Sequence, residues 1–239
     1  MKKKGQVTLF LVVGLIIILL VTIFLNNHSE PINVEQTSAK HVKNFVEQCL
    51  TKTTEDAARD IALRGGYHEL PALSTKMLPN NVPYYHYNGA DHMPTREQIE
   101  ENIATSVEKQ VMRCLNFTQF NAMIQTEGAP KAYVTMHKDG ITVKLTYMIH
   151  IQKEEAEVTI EQFLTTIPSP LLAFYEQAKK IVETHKNSNG YACLSCLQEL
   201  NGKTGLKTKT AITSEGFVYA LEEEKKENDK NIVFKFAVK

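Results

Sequence analysis

The sequence predicts an α+β protein in which an N-terminal transmembrane helix precedes a domain made of an antiparallel β-meander and several packing α-helices. Three observations predict it. Residues 7–25 read VTLFLVVGLIIILLVTIFL, nineteen positions without a charge. Further along, apolar residues recur at three- and four-residue steps in separate segments, as they do on one face of an amphipathic helix. Between two such segments, Lys138-Asp139-Gly140-Ile141 is flanked by alternating apolar residues, the pattern of a β-hairpin. The composition, 43% hydrophobic and 23% charged over 239 residues, is that of a globular chain rather than a disordered or collagenous one. Lys2, Lys3 and Lys4 all precede the first acid, Glu30; from Asn26 onward the 27 basic residues therefore fall to 24 against 27 acidic ones. Proteins that hold nucleic acid by neutralising phosphates carry a basic excess, so nucleic acid is not an expected partner.

At 1.5 Å per residue, the uncharged run makes a helix of about 28 Å, close to the hydrocarbon thickness of a bilayer. The three lysines lie immediately before it and no basic residue lies in 26–30, so the positive-inside rule puts the N-terminus in the cytoplasm and the rest outside. A cleaved secretory signal would have a shorter apolar stretch and a small-x-small site, and Phe24-Leu25-Asn26-Asn27 offers none. Asn26 to Pro31 stacks poor helix formers and ends in proline, which stops the helix near Leu25. Three parts follow: residues 1–25, lysines and membrane helix; 26–33, a juxtamembrane linker; 34–239, an extracytoplasmic α+β domain. The bilayer is the first expected partner. A surface protein or a second copy of the chain is the next.

The opening Lys3-Lys4-Gly5-Gln6-Val7-Thr8-Leu9-Phe10 resembles the class III signal of archaeal type IV pilin-like proteins. That resemblance implies cleavage between Gly5 and Gln6 on the cytoplasmic side, which leaves the membrane helix in place. Such signals usually carry a glutamate at the fifth position after the cut, where it pairs with a neighbour in the filament; here the residue is Phe10. An anchor is thus favoured over a filament subunit. A looser resemblance to archaeal membrane proteins with the same opening extends over Cys49, Leu63-Arg64-Gly65-Gly66-Tyr67 and Phe234 to Lys239, and brings no activity with it.

Within the outer domain, Val42, Phe45, Val46, Cys49, Leu50, Ala57, Ala58, Ile61 and Ala62 form one stripe of a helix over Val34 to Leu63, stopped by Gly65-Gly66. Tyr67 to Pro94 holds four of the eight prolines and the cluster Val82-Pro83-Tyr84-Tyr85-His86-Tyr87, and reads as a long irregular loop packed by its own tyrosines. Thr95 and Gln98 make a capping box for a second helix carrying Ile99, Ile103, Val107, Val111, Cys114 and Leu115. A type I′ turn at Asp139-Gly140 pairs Met136 with Val143, Val134 with Leu145 and Ala132 with Tyr147 on one face. A reversal near Lys153-Glu154 pairs Ile151 with Ala156, Ile149 with Val158 and Tyr147 with Ile160. Ser169 then caps a third helix with Pro170 at its first position, followed by Leu171, Phe174, Ala178, Ile181 and Val182. A short helical piece from Cys193 to Leu200 ends at Gly202. Strands at Phe217–Leu221 and Ile232–Val238 close the chain around a charged tip, Glu222 to Lys230. One antiparallel sheet with helices on one side is the economical assembly.

The four cysteines allow three pairings, and an extracytoplasmic location favours disulfides. Cys49 and Cys114 lie on the apolar stripes of neighbouring helices and are expected to be bonded. Cys193-Leu194-Ser195-Cys196 has the CxxC spacing of redox enzymes, but a loop precedes it where thioredoxin-like chemistry has a strand, so a local disulfide is the plainer expectation. Zinc would need a second thiolate pair at similar spacing, which Cys49 and Cys114 do not supply. His68-Glu69 has Ala72 where a zinc protease has its second histidine, no Gly-x-Ser-x-Gly occurs, and Leu197 replaces the first glycine of a phosphate loop ending at Gly202-Lys203. His68, His86, Asp91 and His92 share one segment at no ligand spacing. No catalytic residue, metal ligand or cofactor is therefore expected. Asn116-Phe117-Thr118 and Asn27-His28-Ser29 are glycosylation sequons; Asn27 lies too near the membrane, which leaves Asn116 as the candidate.

These readings converge on a single-span, membrane-anchored extracytoplasmic protein whose outer domain is structural or binds a partner, as an accessory of a cell-surface or pilus-like assembly. The alternative is an extracytoplasmic thiol-disulfide oxidoreductase that uses Cys193 and Cys196.

Overall fold

The computed structural model describes residues 14–22, 34–76, 81–188, 191–223 and 232–239. The chain divides into two units, residues 1–38 and 39–239. In the first, residues 14–22 form helix α1, whose side chains from Leu15 to Val21 are all apolar and all 49–65% exposed. Among the described residues no helix is long and apolar enough to cross a membrane. Residues 7–13 and 23–25 of the uncharged run lie outside the described residues, as do Gly5, Gln6, Asn27 and the expected linker.

The rest is α+β, as the sequence predicts. Helix α2 (Val34–Leu63) ends where expected: Gly65 and Gly66 have φ of 59° and 86°, and the Gly66 N–H donates to the Ile61 carbonyl at 2.8 Å. Neither glycine could carry a side chain, because a Cβ on Gly65 would press into Pro83 and the Lys235 carbonyl, and one on Gly66 into Ile99. The segment expected to be a loop then forms β1 (Tyr84–Tyr87) and β2 (Ala90–Asp91), joined by Asn88-Gly89 with φ of 49° and 85°. Two positive φ values at the centre of a two-residue connection are what a type I′ turn requires. Pro83 precedes the strand and does not interrupt it.

Helix α3 (Arg96–Cys114) starts with the expected capping box: Gln98 N–H donates to Thr95 Oγ1 at 3.2 Å and Thr95 N–H to Gln98 Oε1 at 2.8 Å. Strands β3 (Met123–His137), β4 (Gly140–Lys153) and β5 (Ala156–Pro168) form a three-stranded antiparallel meander. Its register corrects the expectation. Met136 faces Ile141 and Ala132 faces Leu145, while Lys153 faces Ala156 and Ile151 faces Val158. Each hairpin has slipped by two residues, which changes partners but keeps every expected apolar side chain on its face. The physical cause at the first hairpin is Gly140, which has no positive φ and is a strand residue paired with Pro168; a Cβ there would collide with the Ile167 carbonyl oxygen. The glycine serves close strand approach, not a left-handed turn. At the second, Glu154 takes the positive φ of 57°.

Helix α4 (Leu171–Asn187) follows Ser169, whose hydroxyl accepts from the Leu171 N–H at 3.3 Å, so the helix begins one residue after the expected Pro170. Helix α5 (Leu194–Thr204) runs through Gly202 and stops at Gly205, whose φ is 66°. Strands β6 (Leu206–Thr213), β7 (Gly216–Glu223) and β8 (Phe234–Val238) join β1 and β2 in a second sheet of order β2-β1-β8-β7-β6. The single antiparallel sheet is thereby corrected twice: there are two sheets, and β1 pairs with β8 in parallel. Residues 224–230 of the charged tip lie outside the described residues.

One apolar core joins α2, α3, α4 and the inner faces of both sheets. At its centre Phe236 stacks between Tyr85 and Tyr219, with ring centroids at 4.8 and 5.3 Å, and the buried Tyr85 hydroxyl donates to the Gly65 carbonyl at 2.7 Å. The free edge of β3 is closed by α3. Glu108 Oε1 accepts from the Ala132 N–H at 2.9 Å and Glu100 Oε1 from the Met136 N–H at 2.8 Å. Eight residues of helix rise about 12 Å and four residues of strand about 13 Å, so two carboxylates on one helix match two outward N–H groups on one strand.

Candidate functional site

All four cysteines are in disulfides, paired as expected. Cys49–Cys114 ties α2 to the end of α3, with Cys49 buried and Cys114 half-buried. Beside it Phe45 meets Phe117 and Phe120 edge to face at 6.0 and 5.4 Å, so the bond lies in a packed apolar joint.

Cys193–Cys196 is placed differently. Cys193 is the N-cap of α5, and its Sγ accepts from the Cys196 N–H at 3.3 Å. No acidic residue occupies the first turn of α5. Cys193 is half-exposed, Cys196 exposed, and the Ser195 hydroxyl lies 3.5 Å from Cys193 Sγ. Tyr191 and Leu194, 75% and 68% exposed, flank the pair with apolar surface. A helix N-terminus stabilises a thiolate through its unpaired N–H groups and dipole, so this arrangement is chemically suited to releasing Cys193 as an anion.

The histidines expected to be scattered or packed divide. His86 and Asp91 face each other across the β1–β2 hairpin, with His86 Nδ1 2.6 Å from Asp91 Oδ1. Lys186, in the last turn of α4, donates to Asp91 Oδ2 at 2.6 Å. These contacts hold the Asp91 carboxyl below its ordinary range, the Lys186 ammonium foremost and His86 next. His185, 3% exposed, lies with its ring 6.3 Å from that of His86, and its Nδ1 has no hydrogen-bond partner among the described residues. Burial lowers the His185 pKa from 6.5, and the neighbouring His86 lowers it further. The cluster clamps the hairpin onto α4. His185 and Lys186 were invisible from the sequence as members of it, since they lie about a hundred residues from His86.

His68 and His92 go elsewhere: His68 Nε2 is 3.0 Å from Lys109 Nζ, and the His92 carbonyl accepts from the Tyr67 hydroxyl at 2.5 Å. Among the described residues no group of three or more His, Cys, Asp or Glu could hold a metal ion. Asn116 is exposed, and its Oδ1 accepts from the Thr118 N–H at 3.1 Å and from the Thr118 hydroxyl at 2.8 Å, which folds the sequon into an Asx turn. An open groove of about 520 Å³ at the far end of the meander, lined by Phe120, Met123, Gln152 and Glu154 among others, includes none of these residues.

No family model, curated protein or solved structure matches the chain.

Proposed function

We propose that the chain is a single-span, membrane-anchored extracytoplasmic protein whose outer domain, residues 34–239, is a structural or binding module, an accessory of a cell-surface or pilus-like assembly. The observation that carries the reading is α1. Seven consecutive apolar side chains exposed all round a helix are stable only against lipid or another apolar surface. The uncharged sequence continues on both sides of it to nineteen residues, enough to span. Four cysteines in two disulfides favour an oxidising compartment for the outer domain.

Protease added to sealed cells tests the reading. Cleavage of residues 34–239 while a membrane-impermeant cytoplasmic label misses them is the expected result; protection of that domain from protease overturns it. The intact mass of the membrane-extracted chain then separates two routes of anchoring. Loss of the five residues through Gly5 gives a pilin-like signal, and the full mass a plain anchor. The same spectrum reads a glycan at Asn116.

A further inference from the structure

The geometry points to Cys193–Cys196 as a thiol-disulfide exchange site that accepts electrons from an apolar peptide dithiol, with Cys196 the sulfur attacked and Cys193 the sulfur released. It goes beyond the anchoring reading, and rests on it only for where such a peptide is met.

Access and leaving-group stability assign the two roles. Cys196 is the more exposed residue of the pair. Cys193 is the N-cap, its Sγ already accepting the Cys196 N–H, at the positive end of an eleven-residue helix with no acid in its first turn. Exchange is faster when the departing sulfur is the better-stabilised thiolate. The step balances as follows. A peptide thiolate attacks Cys196 Sγ; a new sulfur–sulfur bond forms, the Cys193–Cys196 bond breaks, and its electron pair leaves on Cys193. The peptide's second thiol, having lost its proton to solvent, attacks the peptide sulfur of the mixed disulfide and expels Cys196 as thiolate. Cys193 and Cys196 each take up a proton. The pair has gained two electrons and two protons, and the peptide dithiol has become a disulfide.

Tyr191 and Leu194 supply the selectivity. Both present large apolar surface beside the bond, so a peptide with apolar residues flanking its cysteine gains contact that a charged one does not. Reducing the pair costs the fold little, because its closed loop spans three residues.

The test uses the full chain in detergent with a synthetic monothiol peptide bearing phenylalanine and leucine beside its cysteine, followed by alkylation and peptide mapping. The expected product carries the peptide on Cys196 and the alkyl group on Cys193, with Cys49 and Cys114 untouched. The peptide on Cys193, or no adduct where dithiothreitol reduces the pair, overturns the assignment. After full reduction of the pair, Cys193 should alkylate with a midpoint below the ordinary thiol value of about 8.5, and a midpoint at or above it removes the leaving-group argument. Tyr191→Ser with Leu194→Ser should slow the apolar peptide by about tenfold while leaving cysteine methyl ester unaffected. Equal slowing of both thiols overturns the peptide preference. The purified chain gives these results whether or not protease reaches it in sealed cells, so the two readings fail separately.

Discussion

Cys49–Cys114 and Cys193–Cys196 each place a cysteine at a helix end, Cys114 at the last residue of α3 and Cys193 at the N-cap of α5, yet they differ in what sets a disulfide's worth to a fold. The first closes 65 residues, the second three. On loop-closure entropy alone those lengths contribute about 4 and about 1.6 kcal/mol. Their surroundings differ in the same sense. Cys49 is buried beside the Phe45, Phe117 and Phe120 contacts, whereas Leu197 is the buried residue of α5. α5 is also held by a polar link, Thr204 Oγ1 donating to Gln177 Oε1 at 2.5 Å and Gln177 Nε2 to Thr208 Oγ1 at 2.9 Å. One bond locks two core helices together. The other closes a single helical turn in contact with solvent, and its worth is chemical rather than structural.

The largest effect should come from the locked side. Replacing Cys49 and Cys114 together by alanine should lower the unfolding free energy by about 4 kcal/mol, read as a fall in the urea midpoint. A loss below about 1 kcal/mol would mean that packing alone holds α2 to α3. Next in size is Glu100→Ala. It removes the acceptor of the Met136 N–H and the ion-pair partner of Arg96, whose Nε lies 3.0 Å away, and should cost about 1–3 kcal/mol with faster hydrogen exchange at Met136. A cost exceeding that of the double cysteine variant would make the carboxylates on α3, and not the disulfide, the main tie on that side.

The locked side was also the more legible. Its two helices were readable because their stripes are long and continuous, because Gly65-Gly66 and Thr95-Gln98 are terminal signals with a mechanism, and because Cys49 and Cys114 fall on facing stripes. The meander's faces were readable and its register was not. Period-two alternation is unchanged by a two-residue slip, and Asp139-Gly140 has the residues of a turn although the role of Gly140 is to lie against Ile167. The type I′ turn is at Asn88-Gly89, a turn signal present in the sequence within a segment whose four prolines read as loop. Strand β6 escaped because Lys207-Thr208-Lys209-Thr210 alternates two polar residues, the chemistry of a protected edge rather than of a half-buried strand. The expected pairing of Cys193 with Cys196 was readable from spacing, but their place at a helix start beside exposed Tyr191 and Leu194 needed the fold. So did His185, which comes to His86 through α4 packing against a distant hairpin.

On the open side, Cys193→Ser with Cys196→Ser should lower the unfolding free energy by at most about 2 kcal/mol in the same urea titration. A loss as large as that of the Cys49 and Cys114 pair would erase the distinction between the two bonds and return the CxxC pair to a structural role.

A shallower effect comes from α4, which carries His185. The native fold keeps this ring neutral longer than water does, because burial and the neighbouring His86 both disfavour its protonated form. The unfolded chain therefore binds the extra proton first. The stability due to His185 is fully present above about 6.5, falls as pH drops through that value, and levels once the pH is below the lowered native pKa. Asp91 works in a separate window: its carboxyl is lowered from 3.8, so its contribution is present above 3.8 and is lost as pH falls through its lower native value. Between pH 7 and 5, then, His185→Gln should flatten the dependence of the melting temperature on pH relative to the unaltered chain, while the Cys49 and Cys114 variant keeps the slope at a lower melting temperature. Equal slopes in the His185→Gln variant and the unaltered chain would move the pH sensitivity off α4. The hairpin clamp would then be no more responsive to acid than the disulfide-locked helices it is compared with.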